Sequence, residues 1–420
     1  MTKEELKKTE QRRLKRIGIS FRWILFAVFS GLIIGGISTL FCFCLKVVTG
    51  ARAAYPWILF FLPVGGVVIV FLYKALHDEN DTGTNLVISA IHSEERVPLR
   101  MAPSIFFSTL ITQLVGGSAG REGAALQLGG SIGGNLGKLF RLDEKDQHVM
   151  IMCGMSAAFA SIFGTPLAAA VFSMEVVSVG IMHYSALLPS VIAALIAHGV
   201  SVYFGFPGEK LALSGFPAFS VKTALIISVL AVLCAFVSVL FCIALHQSEA
   251  LFERFFSNPY LRILVGSGFL LVLTLLVGNQ RYNGAGINLM GDALNGNACP
   301  YDFLLKLLFT VITIGAGFKG GEILPSLSIG AGFGFLFSYL TGFDTGLCAA
   351  IGMTSVFCGV TNCPITSLLI SFELFGFSSM PYFLISVALS YMLSGYYGLY
   401  RSQKIIYSKY KTNYINKHTH

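Results

Sequence analysis

GMSAAFASIFGTPLAAAVFSMEVV (residues 154–177) lies over GMTSVFCGVTNCPITSLLISFELF (residues 352–375) at an offset of 198. Six positions are identical: Gly154/Gly352, Met155/Met353, Phe159/Phe357, Pro166/Pro364, Ser173/Ser371 and Glu175/Glu373. Upstream, REGAALQLGGSIGG (121–134) answers GEILPSLSIGAGFG (321–334), with Glu122 and Glu322 offset by 200. Order and spacing are kept, so the chain reads as two related halves, 20–205 and 206–400, a duplication common in transporters. Residues 1–19 read as a basic amino-terminal segment and residues 401–420 as a basic tail.

Composition says where this plan resides. Of 420 residues, 55% are hydrophobic and 12% charged, against roughly 25% charged in soluble domains. So few charges cannot cover a water-facing surface. A spanning helix needs ~20 predominantly apolar residues. Apolar runs recur at about 23–48, 56–76, 101–119, 149–176, 183–206, 222–247, 261–278, 303–318, 345–372 and 380–399. The expected fold is an all-α integral membrane protein without a soluble or regulatory domain. Residues 1–22 carry eight Lys/Arg against three Asp/Glu, and residues 401–420 carry five against none. That bias places both termini in the cytoplasm.

Other classes are disfavoured. The charged amino-terminal stretch is mixed in sign and leads into a span-length apolar run, unlike a cleavable signal peptide. The basic tails lack an aromatic platform, so no nucleic-acid partner is expected. Nine cysteines without a CxxC and eight scattered histidines show no metal-ligand spacing, so neither metal nor cofactor is expected. Gly129-Gly130-Ser131-Ile132-Gly133 matches GxSxG. That hydrolase motif requires a strand–turn–helix setting; inside a Gly-rich membrane helix it implies no enzyme.

The middle of the chain holds 18 Asp/Glu, most in polar connections. Four lie in apolar or Gly-rich stretches, as two repeat-related pairs: Glu122/Glu322 and Glu175/Glu373. An intramembrane carboxylate costs at least ~2.5 kcal/mol at a helix centre, so it faces a cavity or a partner and often marks an ion or proton path. Glu122 and Glu322 suit that role. Glu175 and Glu373 each end a helical run, where a structural contact is the stronger reading. Glycines crowd around the first pair: Gly116, Gly117, Gly120 and Gly123 in one half, Gly315, Gly317, Gly320 and Gly321 in the other. Such runs suit broken helices that meet near the midplane. Their first turns present unpaired N–H groups and the positive dipole end to an anion.

These strings resemble the CLC family of chloride channels and transporters. GREGA (120–124) is similar to the family's GREGP, and Gly321-Glu322-Ile323-Leu324-Pro325 stands where the family has GxFxP. Asp81-Thr82-Gly83-Thr84-Asn85 stands at its GSGIP, and Gly398-Leu399-Tyr400 resembles the segment with its anion-binding tyrosine. The Pro-containing runs at 164–170 and 362–368 resemble its paired APLAG-like segments. The likeness covers roughly residues 20–405. GGSAGREG (116–123), GTNLV (83–87) and GFKGGE (317–322) resemble the fluoride-transporting branch, CLC-F.

The resemblance implies a CLC-like fold of inverted halves and a fluoride/proton antiporter, a homodimer in the cell membrane, with chloride/proton antiport or a chloride channel as the alternative. It implies Glu122 as gate and proton carrier and Glu322 as a second carboxylate. Anion contacts fall on Gly83, Thr84, Asn85, Gly120, Arg121, Gly123, Gly321, Ile323, Leu324 and Tyr400. Arg121 reads as structural more than as a direct ligand, because a full charge would trap the ion. Two departures stand out: Thr84 replaces the branch's Met, and Leu324 replaces its Thr. Val176 stands where chloride/proton antiporters carry a second Glu, which favours fluoride.

Overall fold

The computed structural model describes residues 3–420 apart from 80, 94, 209–210, 212–216 and 218, with side chains from residue 17 onward. Among these residues the chain forms two sets of eight helices. The first set is α1 (Lys3–Ala54), α2 (Leu62–Ala75), α3 (Thr84–His92), α4 (Met101–Val115), α5 (Glu122–Leu139), α6 (Glu144–Phe163), α7 (Pro166–Glu175) and α8 (Leu187–Tyr203). The second is α9 (Val221–Phe255), α10 (Pro259–Val277), α11 (Ile287–Leu294), α12 (Asp302–Gly315), α13 (Ile323–Thr341), α14 (Thr345–Thr361), α15 (Pro364–Phe375) and α16 (Met380–Leu393). Helices α4–α7 and α12–α15 begin 198 to 201 residues apart, so the duplication seen in sequence extends across the fold.

Six helices among the described residues are long and apolar enough to cross a bilayer, and α13 is the most enclosed of them. The others break for local reasons. Gly164 (φ +82°) and Asn362 (φ +59°) end α6 and α14 in the left-handed region. Pro166 and Pro364 then open α7 and α15, at a position that needs no N–H. Asp143 and Asp344 cap α6 and α14, accepting from Asp146 N at 2.8 Å and Leu347 N at 2.7 Å. The repeat therefore preserves helix starts and stops as well as apolar faces.

Two backbone approaches build the core. A Cβ at Gly129 would overlap the Gly154 carbonyl, and one at Gly330 would overlap that of Gly352. Glycine thus lets α5 lie directly on α6, and α13 on α14, as small residues do between membrane helices.

The second acid pair joins the halves. Glu175, ending α7, accepts from Ile365 N (3.0 Å), Thr366 N (2.8 Å) and Thr366 Oγ1 (2.6 Å) at the start of α15. Glu373, near the end of α15, accepts from Leu167 N (3.0 Å) and Ala168 N (2.9 Å) at the start of α7. Each carboxylate satisfies the orphan N–H groups of the other half's helix and sits at its positive dipole end.

Residues 401–420 were read only as a basic tail, yet they fold back. Strands β1 (Ser178–Val179), β2 (Lys404–Tyr407) and β3 (Tyr414–His418) form one sheet, β1 parallel to β2 and β2 antiparallel to β3. Ile405 and Ile406 are buried within it.

Candidate functional site

The site begins where the two Gly-rich loops touch. Gly120 N donates to Gly321 O at 2.6 Å, and Gly321 N to Gly120 O at 2.9 Å. This isolated antiparallel bridge ties the entrances of α5 and α13 together. It also occupies the two N–H groups, so Gly120 and Gly321 frame the site and do not donate into it.

Helices leave the bridge in each half. The first intrahelical bonds of α5 and α13 are Ala125 N to Arg121 O (2.9 Å) and Ser326 N to Glu322 O (3.0 Å). The N–H groups of Gly123, Ala124, Ile323 and Leu324 precede them, and a helix gives those groups no internal partner. Ile323 and Leu324 are fully buried. Leu324 brings only its N–H and an apolar side chain to this turn.

Glu122 is the first residue of α5 and is wholly buried. It folds toward its own helix start: Arg121 N donates to its Oε2 at 3.2 Å, and Arg121 Nε lies 3.5 Å from its Oε1. Arg121 therefore pairs with Glu122. Glu322 stands at the start of α13 in the other half, without a side-chain cap bond, and is directed differently. It lines a cavity of about 710 Å³ together with Gly83, Thr84, Asn85, Gln127 and Tyr400.

Gly123 separates these groups. A Cβ there would lie 2.9 Å from Gly321 Cα, 3.3 Å from Glu322 Oε2 and 3.7 Å from Thr84 Oγ1. Only glycine leaves that space open beside both a carboxylate and a hydroxyl. A Cβ on Gly120 would lie 3.1 Å from Glu122 Oε2. The two carboxylates thus flank one bridge from opposite halves.

Thr84 starts α3 after Gly83, whose φ of +66° favours glycine. Asp81 Oδ1 accepts from Gly83 N at 2.8 Å and fixes that turn. Thr84 Oγ1 lies 3.5 Å from Gly123 O and accepts from Gln127 Nε2 at 3.2 Å. Asn85 lines the same cavity, and its Oδ1 accepts from Ser402 N at 3.0 Å, holding the segment after Tyr400. Tyr400 is buried, and its hydroxyl has no hydrogen-bond partner among the described residues; the same holds for Glu322 Oε2 and Gln127 Oε1. Buried polar atoms are rarely left unpaired, so these three suit a polar guest.

Three contributors escaped the sequence reading. Gln127 is a polar residue in a Gly-rich membrane helix, a signal that was present. Lys306, inside FLLKLLF, is fully buried and donates to Ser118 Oγ (2.8 Å), Tyr282 O (3.2 Å) and Gly284 O (2.6 Å). It pins the loop that leads to Glu122. Gln403 donates to Val176 O (2.9 Å) and Thr361 O (2.8 Å), anchoring the chain three residues past Tyr400. Val176, which follows α7, is fully buried and carries no ionisable group.

Fold and site together define an integral membrane protein of two related halves whose broken helices meet at a buried polar site. The family model described as voltage gated chloride channel matches residues 65–395, and the chain belongs to that family of transport proteins. A chloride/fluoride channel protein of Pseudomonas syringae pv. tomato is 34% identical over 93% of this chain and 88% of its own length. The H(+)/Cl(-) exchange transporter ClcA of Vibrio cholerae is 26% identical over 66% of this chain and 62% of its own. The crystal structure of a CLC-type fluoride/proton antiporter matches with a TM-score of 0.88 at 35% identity, covering 91% of this chain and 98% of that one. A slow cyanobacterial Cl-/H+ antiporter matches at 0.74 with 19% identity over 89% of this chain and 94% of that one, a likeness of fold.

Proposed function

We propose that this chain is a fluoride/proton antiporter that exports fluoride on an inward proton gradient. The observation that carries the reading is the pair Glu122 and Glu322 flanking the Gly120–Gly321 bridge, with the Tyr400 hydroxyl and Glu322 Oε2 unpaired at the same cavity. The relatives named for fluoride support it, as does Val176 where a chloride-type proton relay would need an acid.

Fluoride is small, strongly hydrated and a strong hydrogen-bond acceptor. A site for it must replace water with donors. The N–H groups of Gly123, Ile323 and Leu324, with the hydroxyls of Thr84 and Tyr400, are the donors in reach of such an ion. An ionised carboxylate beside them opposes it. At ~4 Å and an effective dielectric of ~20 the repulsion is about 4 kcal/mol. Protonation removes that term and turns the acid into a donor. Fluoride and the ionised carboxylate therefore exclude each other at this site, which ties movement of the ion to the protonation state of the acid.

In this reading Glu122, when ionised, stays against Arg121 and the start of α5. Protonation weakens that attachment and frees the side chain to move. Glu322 supplies the second protonatable group, on the side of the cavity. Arg121 holds the gate and does not bind the ion. The basic flanks orient both termini to the cytoplasm of a cell membrane. The halves correspond to residues 20–205 and 206–400, and the working unit is a homodimer.

The test is flux from liposomes loaded with fluoride or chloride under matched gradients, read with ion-selective electrodes. Fluoride efflux well ahead of chloride supports the proposal; equal or preferential chloride flux overturns it.

A further inference from the structure

A second pocket, of about 420 Å³, opens beside the ion cavity where α2 ends and α10 begins. Three cations line it: Lys74, Arg262 and Lys319; Glu79 is the acid among its lining residues. Lys74 is exposed on the last turn of α2. Neither Lys74 nor Lys319 forms an ion pair among the described residues. Lys319 Nζ instead lies 4.5 Å from the centre of the Tyr73 ring. Arg262 gives Nη1 to Glu253 at 3.0 Å, but its Nε is buried without a partner and lies near Gly317. The lining thus carries three cations against one acid, with Arg262 shared with Glu253, and a buried donor that the protein does not satisfy.

Its other wall is apolar. Ile69 and Val70 of α2 and Pro259 of α10 line it, and Phe71, Leu261 and Leu264 nearby are exposed. Tyr260, partly exposed at the start of α10, suits headgroup depth, where aromatic residues with polar tips collect. A ligand here meets cations at one end and the hydrocarbon-facing side of two helices at the other. Basic pockets between membrane helices recognise anionic headgroups by this arrangement.

We propose that this pocket binds the phosphate headgroup of an anionic phospholipid, with its acyl chains lying along α2 and α10. Arg262 and Lys319 also line the ion cavity, and Lys319 stands three residues before Glu322. The headgroup therefore bears on the loop that enters α13.

The experiment is native mass spectrometry of the purified, delipidated full chain, given equal amounts of phosphatidylglycerol and phosphatidylcholine. Wild type retains phosphatidylglycerol preferentially. Lys74→Gln, on an exposed residue that leaves folding undisturbed, lowers that preference roughly fivefold, and adding Arg262→Gln lowers it by about twenty-five-fold. Arg22→Gln, a basic change far from the pocket, leaves it intact. Equal retention of the two lipids overturns the proposal, as does an unchanged preference in the Lys74→Gln/Arg262→Gln protein. An equal loss in Arg22→Gln also overturns it, by showing a general surface-charge effect. Displacement of the lipid by millimolar inorganic phosphate would make the pocket a free-phosphate site and overturn the lipid assignment.

Discussion

Replacing Glu322 with glutamine isolates one carboxylate's opposition to the anion. The space beside Gly123 lies 3.3 Å from Glu322 Oε2 and 3.7 Å from Thr84 Oγ1. An ion held by Thr84 there feels ionised Glu322 at ~4 Å, a repulsion of about 4 kcal/mol at an effective dielectric of ~20. That corresponds to roughly a thousandfold in affinity, and water in the cavity reduces it to at least about tenfold. Protonation removes the repulsion, so wild-type affinity falls as pH rises and Glu322 gives up its proton. Glutamine is neutral throughout. Isothermal titration of fluoride into purified protein should give equal affinities for wild type and Glu322→Gln at low pH. At high pH the variant should bind at least about tenfold tighter, while its turnover in liposomes is slower because a proton carrier is lost. Matching affinities at high pH would refute the reasoning and leave Glu322 with a structural role only.

Two further outcomes test other parts of the site. Tyr400→Phe removes one hydrogen bond to a charged ion, worth about 1.5–3 kcal/mol, and should weaken fluoride binding roughly ten- to hundredfold in the same titration without loss of folded protein. Glu175→Gln and Glu373→Gln should each lower thermal stability in detergent, by about 1–2 kcal/mol for a weakened helix cap and less at the half-buried Glu373, while the protons moved per fluoride stay as in wild type. A changed coupling ratio in either would return those acids to the ion path.

Much of the architecture was legible because it rests on local signals. Gly164-Thr165-Pro166 and Asn362-Cys363-Pro364 mark helix ends by backbone chemistry, and the 198-residue offset exposes the two halves. Glu122 and Glu322 stood out because charge in an apolar stretch needs a reason. The capping role of Glu175 and Glu373 was only one of two readings, since it depends on contacts across 190 to 206 residues. The bridge between Gly120 and Gly321 was hidden for a similar reason: nothing local says that they bond each other. Lys306 was not legible because its partners at Ser118, Tyr282 and Gly284 lie 22 to 188 residues away. The terminal hairpin was hidden because Lys404-Ile405-Ile406-Tyr407 is basic and short, and its partner strand at Ser178 lies far away in sequence.

The central claim is that Glu122 carries the proton. The most direct measurement is simultaneous fluoride efflux and internal pH in liposomes containing wild type or Glu122→Gln protein. Wild type should acidify the lumen as fluoride leaves, and should drive fluoride uphill on a proton gradient. Glu122→Gln should move fluoride only downhill, or not at all, with no linked pH change. Proton movement in fixed ratio to fluoride in that variant would contradict the account.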